Sequence, residues 1–318
     1  MYICLSLIMF LVTGDAGPCV EAANEERAQT VTLVALLEDW ALEEPETFKE
    51  VFREQVRAAF VSEDGKWLPF SPSKFHGRTL PPMDKWYAVR DGCVIGQVTT
   101  NGLFIKESNL SEMSVKLLTS SDLPEDTAPR SWDFARWGGV TVKKPLVLLS
   151  TPTVGHCGDW HRTDLIGPIS EEIAEIFRSK VSSFYPPEYE DKRAKEERVL
   201  DRISVSTLTR KESLICENGW RLDGVCLGSE ALKSAEVSEF LEDSVPPEYL
   251  MLGIHWFVTK PGARTVHLGY SMVLLDFGDF DGDGVCDFVF QAREYAKDGY
   301  VLFSHNFEER VDFLWRYH

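Results

Sequence analysis

Asp279, Asp281, Asp283 and Asp287 stand at positions 1, 3, 5 and 9 of one short stretch, with Gly282 and Gly284 between them. Four carboxylates this close repel one another unless a cation sits among them, and hard oxygen donors at this spacing suit calcium. Alternate residues of a tightly curled loop point inward, so positions 1, 3 and 5 converge, while glycine at position 6 permits the sharp backbone turn. Val285, at position 7, has only its carbonyl oxygen to offer. A plain hairpin turn accounts for one or two Asp or Gly residues, not for four spaced carboxylates.

The stretch departs from the helical calcium loop D-x-[DN]-x-[DN]-G-x5-E at position 12, where Phe290 replaces the bidentate glutamate. Residues Val285 to Gln291 contain Val, Phe, Val and Phe and read as a strand, so an EF-hand is disfavoured. The run Gly278 to Phe290 instead resembles the calcium loop of the FG-GAP (integrin-alpha-like, VCBS) repeat, D-x-D-G-D-G-x-x-D followed by an apolar strand. That resemblance implies Asp279, Asp281, Asp283 and Asp287 as side-chain ligands of Ca2+ and Val285 as a carbonyl ligand. One copy is found where the family's propeller needs several blades, so a complete propeller is not expected. The longer C-terminal run, through Asp298 to Phe303 and Val311 to Tyr317, is similar to secreted bacterial proteins carrying a lone copy of this loop, a likeness that implies no particular activity.

Strands must hold such a loop, and the C-terminal third is rich in them. Leu252 to Val258, Thr265 to Leu275, Cys286 to Ala292, Tyr300 to Ser304 and Val311 to Tyr317 read as an antiparallel meander with turns at Lys260 to Gly262 and Asp298-Gly299. Ahead of it, Pro168 to Glu172 opens an amphipathic helix over about 170–184, with Ser170 as N-cap and Ile173, Ile176, Phe177, Val181 and Phe184 on one face. Glu188 to Arg202 reads as a solvated helix or loop, and a weaker helix is expected over Glu230 to Glu242. In the N-terminal half, Thr30 to Leu37 reads as a strand broken by the acidic segment Glu38 to Glu46. Phe48 to Phe60 fits either a helix or a strand. The strand reading is preferred, because it ends at the Asp64-Gly65 turn with Lys66 to Phe70 returning. Lys85 to Arg90 and Cys93 to Val98 flank Asp91-Gly92, a strong hairpin signal. Ser71 to Asp84 reads as loop, Asn101 to Thr141 as polar and irregular with Ser108 to Arg130 its most linker-like part, and Lys144 to Ser150 as a strand.

The resulting expectation is a β-rich α+β fold of antiparallel sheets. It divides into a leader (1–22), an N-terminal β-rich region (23–150) and an α+β region (151–318), and the last two are able to form one domain. The leader rests on the apolar run Leu5 to Val12, which matches a signal-peptide core better than a bilayer span, although no Lys or Arg precedes it. Secretion or a periplasmic location follows. No later segment is long and apolar enough to span a membrane. A net charge of −18 opposes binding to nucleic acid or to anionic membranes, because phosphate recognition needs a basic footprint.

Five cysteines follow the leader, and Cys216 and Cys226 bracket an Asn218-Gly219 turn signal, which makes a bridge between them a candidate. Gly155 to His161 gathers His156, Cys157, Asp159 and His161, but at no specific zinc spacing and with weak claim to a Cys-His nucleophile. Trp86, Trp220, Trp256 and Trp315 lie in strand-like runs and are expected in the core. G-x-S-x-G, H-E-x-x-H, Walker A and G-x-G-x-x-G signatures are all lacking. The expected function is that of a secreted, non-enzymatic calcium-binding protein whose ion stabilises the C-terminal sheet and whose partner is an extracellular protein or polysaccharide. The alternative is an exported hydrolase of a cell-wall or extracellular polymer, with calcium merely structural.

Overall fold

The computed structural model describes residues 31–43, 50–107, 112–124, 131–132, 142–158, 160–164, 167–182, 203–228, 253–294 and 297–316. Among them the fold is β-rich, with antiparallel sheets and a single helix. The leader, Glu188 to Arg202 and Glu230 to Glu242 lie outside the described residues.

Six strands lead the chain: β1 (Thr32–Glu43), β2 (Glu50–Glu63), β3 (Lys66–Pro69), β4 (Lys85–Arg90), β5 (Cys93–Glu107) and β6 (Glu112–Asp122). After the short pair β7 (Ser131–Trp132) and β8 (Val142–Lys143), β9 (Leu146–Leu149) joins them in a seven-stranded sheet ordered β1-β9-β4-β5-β6-β2-β3. β1 also pairs with β2 along its length, so the ladder curls back on itself. A five-stranded sheet follows, ordered β10 (His161–Arg162), β11 (Leu208–Ile215), β12 (Arg221–Leu227), β13 (His255–Thr259) and β14 (Val266–Gly269), with helix α1 (Glu171–Ser182) between β10 and β11 in sequence. The last sheet is the meander β15 (Met272–Gly278), β16 (Asp287–Glu294), β17 (Lys297–Ser304) and β18 (Glu309–Arg316).

The alternation of side chains along these last strands explains how the sheets stack. Met272, Leu274, Phe288, Phe290, Val301 and Phe303 share one apolar cluster with Leu214, Leu222, Trp256 and Val258 of the five-stranded sheet. Leu275, Val289, Leu302, Phe313 and Trp315 share another with Val34, Phe60, Trp67, Val89 and Leu149 of the seven-stranded sheet. The meander is therefore buried on both faces, between the other two sheets. Beyond the five-stranded sheet, Ile173, Ala174, Phe177 and Val181 of α1 pack against Leu208, Val225 and Phe257. Ser170 Oγ accepts from the Ile173 amide at 3.2 Å, as an N-cap should.

Several elements differ from the sequence reading. β1 runs through Glu38 to Glu43 instead of breaking there, because Glu38 finds a buried partner: Arg57 on β2 donates to both its oxygens, at 2.9 and 3.2 Å from Nε. Tyr300 Oη also donates to Glu38, Gln55 donates at 3.1 Å, and the Arg57 guanidinium lies 4.4 Å from the centre of the Trp315 ring. The stretch read as irregular contains the rest of β5 and all of β6, and the exposed Thr119, Ser120 and Ser121 lend β6 a polar look. Thr265 to Leu275 is two strands in different sheets, parted at Ser271, whose φ is +51°. Asp298-Gly299 lies inside β17 and makes no turn. Gly299 is needed there because a Cβ would come 2.2 Å from the Phe313 carbonyl on β18. The Asp91-Gly92, Asp64-Gly65 and Lys260 to Gly262 turns form as read.

Cys216 and Cys226 are both free and buried, which overturns their expected bridge. The Asn218-Gly219 turn lies directly against Cys216, whose amide bonds to the Trp220 carbonyl, while Cys226 pairs with Thr209 farther along the ladder. Cys226 lies six residue steps along the strand from Trp220, roughly 20 Å at about 3.4 Å per residue, well beyond disulfide reach. The disulfide that forms joins Cys157 to Cys286. Cys93 is also disulfide-bonded.

The Glu38 and Arg57 pair is 7% and 1% exposed, so its partners cannot be replaced by water. Burial alone would depress the Arg57 pKa, but the Glu38 carboxylate outweighs it and holds the guanidinium above its usual value. Arg57→Ala leaves the carboxylate uncompensated, and urea unfolding should show a loss of about 3–5 kcal/mol. The double variant Glu38→Gln/Arg57→Met should lose less than this single one; an equal or larger loss would mean that side-chain packing, not charge matching, sets the cost.

Candidate metal centre

The loop between β15 and β16 begins at Asp279 and ends at Cys286. Gly282 and Gly284, with φ of +78° and +88°, make the two left-handed bends that curl it. Its own amides then bond to its carboxylates: Asp283 N to Asp281 Oδ1 at 3.3 Å, Val285 N to Asp283 Oδ1 at 2.7 Å, and Gly284 N to Asp279 Oδ2 at 3.0 Å. This draws Asp279, Asp281 and Asp283 together, with one carboxylate oxygen from each lying within 4.8 Å of the others. Asp279 is 3% exposed, Asp281 is half-buried and Asp283 faces solvent, so the group is open on one side only.

One atom in this group stands out. Asp279 Oδ1 is buried and has no hydrogen-bond partner. An ionised oxygen left bare in the interior costs more than any single hydrogen bond in the loop contributes, which a cation at the centre would remedy. The donors that converge are all hard oxygens, as calcium or magnesium prefers. At 4.8 Å two unit charges repel by about 3–4 kcal/mol for an effective dielectric near 20, reduced on the solvent side by screening.

Asp287 does not join that group of three. It is 3% exposed, and its oxygens accept from the Trp67 indole and the Phe280 amide, each at 3.1 Å. Burial first, and then the charges of Asp281, Asp283 and Asp279, raise its pKa well above the ordinary aspartate value. Burial also pushes Asp279 up to about 6, reinforced by Asp283 and Asp281 and opposed by the Gly284 and Gly282 amides. The half-buried Val285 enters through its amide bond to Asp283.

Residues from distant parts of the chain complete the surroundings, and no local pattern signals them. Ser62, at the end of β2, donates to Asp281 Oδ2 at 3.0 Å. The Gly155 amide donates to the Asp279 carbonyl at 2.8 Å, and a Cβ on Gly155 would come 2.0 Å from Asp279 Oδ2, so only glycine fits. Asp276 lies three residues earlier, within β15, and accepts from the amides of Asp91 and Gly92 at 3.1 and 3.2 Å, which ties the β4–β5 hairpin to β15. His305 Nε2 lies 3.5 Å from Asp283 Oδ2. It belongs to a run of three left-handed residues, His305, Asn306 and Phe307, with φ between +50° and +67°. Such a conformation costs about 1–2 kcal/mol per residue, and the stacking of Phe307 on Phe288 at 4.4 Å helps to hold it.

The GHCGDWH segment has a structural part. Cys157 is spent in its disulfide with Cys286, which removes it as a nucleophile or ligand, and Trp160 packs edge-on against Phe288 at 5.2 Å.

For the cation-free protein the raised Asp279 pKa predicts the sign of the pH dependence. The folded state holds this proton more tightly than the unfolded state, where the value is near 3.8. Stability from this group is therefore full below that value and is lost as pH rises toward 6. In chelator, the thermal midpoint should fall across this window, and Asp279→Asn should flatten the fall. A midpoint that rises there in both proteins would contradict the assignment.

The chain matches no protein-family model, no curated protein and no solved structure.

Proposed function

We propose that this is a non-enzymatic calcium-binding protein in which the ion fixes the loop between β15 and β16 and, through it, the seating of the meander on the seven-stranded sheet. The observation that carries the reading is the buried Asp279 Oδ1, an oxygen without a partner on one of three converging carboxylates. The likeness of residues 278–290 to the FG-GAP calcium loop points the same way. Ser62 and Trp67, which bond to Asp281 and Asp287, extend the effect of the ion to the neighbouring sheet.

Calcium at about 100 times its Kd should add roughly 2.7 kcal/mol to stability, since it binds the folded state alone. Asp281→Ala removes one converging carboxylate and should abolish most of that gain while leaving the flanking strands in place. Titration calorimetry with calcium, and thermal midpoints in millimolar calcium and in chelator, test this. A wild-type midpoint equal in both solutions, with no heat of binding, would leave Asp279 to Asp287 as an ordinary turn.

The same reading places the protein outside the cytoplasm, with an extracellular protein or polysaccharide as its partner. The Cys157–Cys286 disulfide supports export, because such bonds persist in oxidising compartments. N-terminal sequencing of the native protein should begin near Ala23. An intact Met1 on cytosolic material would defeat this part of the proposal without touching the metal site.

A further inference from the structure

The segment Val154 to Trp160 meets the loop at both ends. At the entry, Gly155 forms an isolated antiparallel bridge with Asp279, the residue that carries the bare oxygen. At the exit, Cys157 is bonded to Cys286, which lies directly between Val285 and Asp287. Two positions on one short segment thus fix the first and eighth residues of the loop. The segment itself is anchored by Val154 against the cluster beneath the seven-stranded sheet and by Trp160 against Phe288 and Phe307. Gly155 holds the entry with a hydrogen bond, whereas the covalent hold on the exit is the disulfide.

We propose that the Cys157–Cys286 disulfide and the cation site are thermodynamically linked, so that the bond preorganises the carboxylates for the ion and the ion in turn protects the bond from reduction. This rests on the calcium reading above. With the bond intact, the ends of the loop are fixed before the ion arrives, and little ordering remains to oppose binding. A dithiol reductant breaks the Sγ–Sγ bond by delivering two electrons and two protons, yielding two thiols and becoming a disulfide itself. The loop exit is then free to move away from the brace, and gathering mutually repelling carboxylates becomes a cost of binding. Linkage requires the effect to be reciprocal: whatever factor the bond adds to calcium affinity, calcium adds to the stability of the bond.

The test uses full-length oxidised protein and calcium chloride. Calorimetry should give a Kd at least tenfold weaker for Cys157→Ala/Cys286→Ala, which keeps the disulfide of Cys93, than for wild type. In parallel, wild type equilibrated with a dithiol redox buffer, with calcium or with chelator, is mapped for the Cys157–Cys286 peptide. A tenfold linkage makes the reduction potential about 30 mV more negative in calcium. This second measurement decides the matter if the double variant fails to fold. Equal affinities, or a potential indifferent to calcium while the oxidised protein still binds it, would overturn the linkage and leave the calcium site standing. Failure of oxidised wild type to bind calcium at all would overturn both.

Discussion

Burial of both faces of the four-stranded meander is the constraint on which the rest of the structure depends. Phe288 and Phe290 point to one neighbouring sheet, Val289 and Leu302 to the other, and all four are fully buried. Each large apolar side chain so buried contributes about 1.5–3 kcal/mol, which exceeds the net worth of most individual hydrogen bonds. A sheet with two apolar faces cannot stand in water alone, and its neighbours exist to cover it. The five-stranded sheet and α1 cover one side, and the curled seven-stranded sheet covers the other. Any polar group caught between these layers has to be matched within the layers.

Two groups of charges are caught at the junction of the meander with the seven-stranded sheet, and they are matched differently. Glu38 meets Arg57, Tyr300 and Gln55, so each charge or hydroxyl finds its complement inside the chain. In the loop, carboxylates meet carboxylates, and the basic side chain in ion-pair range of Asp283 is a His305 held 3.5 Å away at the solvent side. Both groups lie among apolar residues whose packing brings them together whether or not their charges agree. The first group is complete as it stands, whereas in the second like charges face one another.

Local chemistry made some of this legible in the sequence. The Asp91-Gly92 and Asn218-Gly219 turns, the Ser170 cap and the convergence of Asp279, Asp281 and Asp283 follow from residues close in sequence. Where the reading failed, a distant residue had reversed the local preference. Glu38 looked like a strand breaker because Arg57 and Tyr300, which make its burial tolerable, lie 19 and 262 residues away. Asp298-Gly299 carried a turn signal, but the glycine serves the close approach of β18. Ser62, Trp67 and Gly155 surround the loop without any motif of their own. Cysteine pairing failed for the same reason: spacing favoured Cys226 as the mate of Cys216, whereas register in the sheet puts them far apart and stacking brings Cys157 to Cys286.

The disulfide between Cys157 and Cys286 spans 129 residues and encloses α1, all five strands of the five-stranded sheet and β15. A closure of that size removes about 5 kcal/mol of freedom from the unfolded chain on the loop-entropy model. It also turns the layer of α1 and the five-stranded sheet into a ring rather than a stretch of chain. A backbone cut anywhere within the ring opens it without releasing a fragment, since both pieces stay joined through sulfur beside the loop of aspartates. The seven-stranded sheet and the meander, which meet across their own interface, would therefore remain parts of one molecule even with the layer between them in sequence severed.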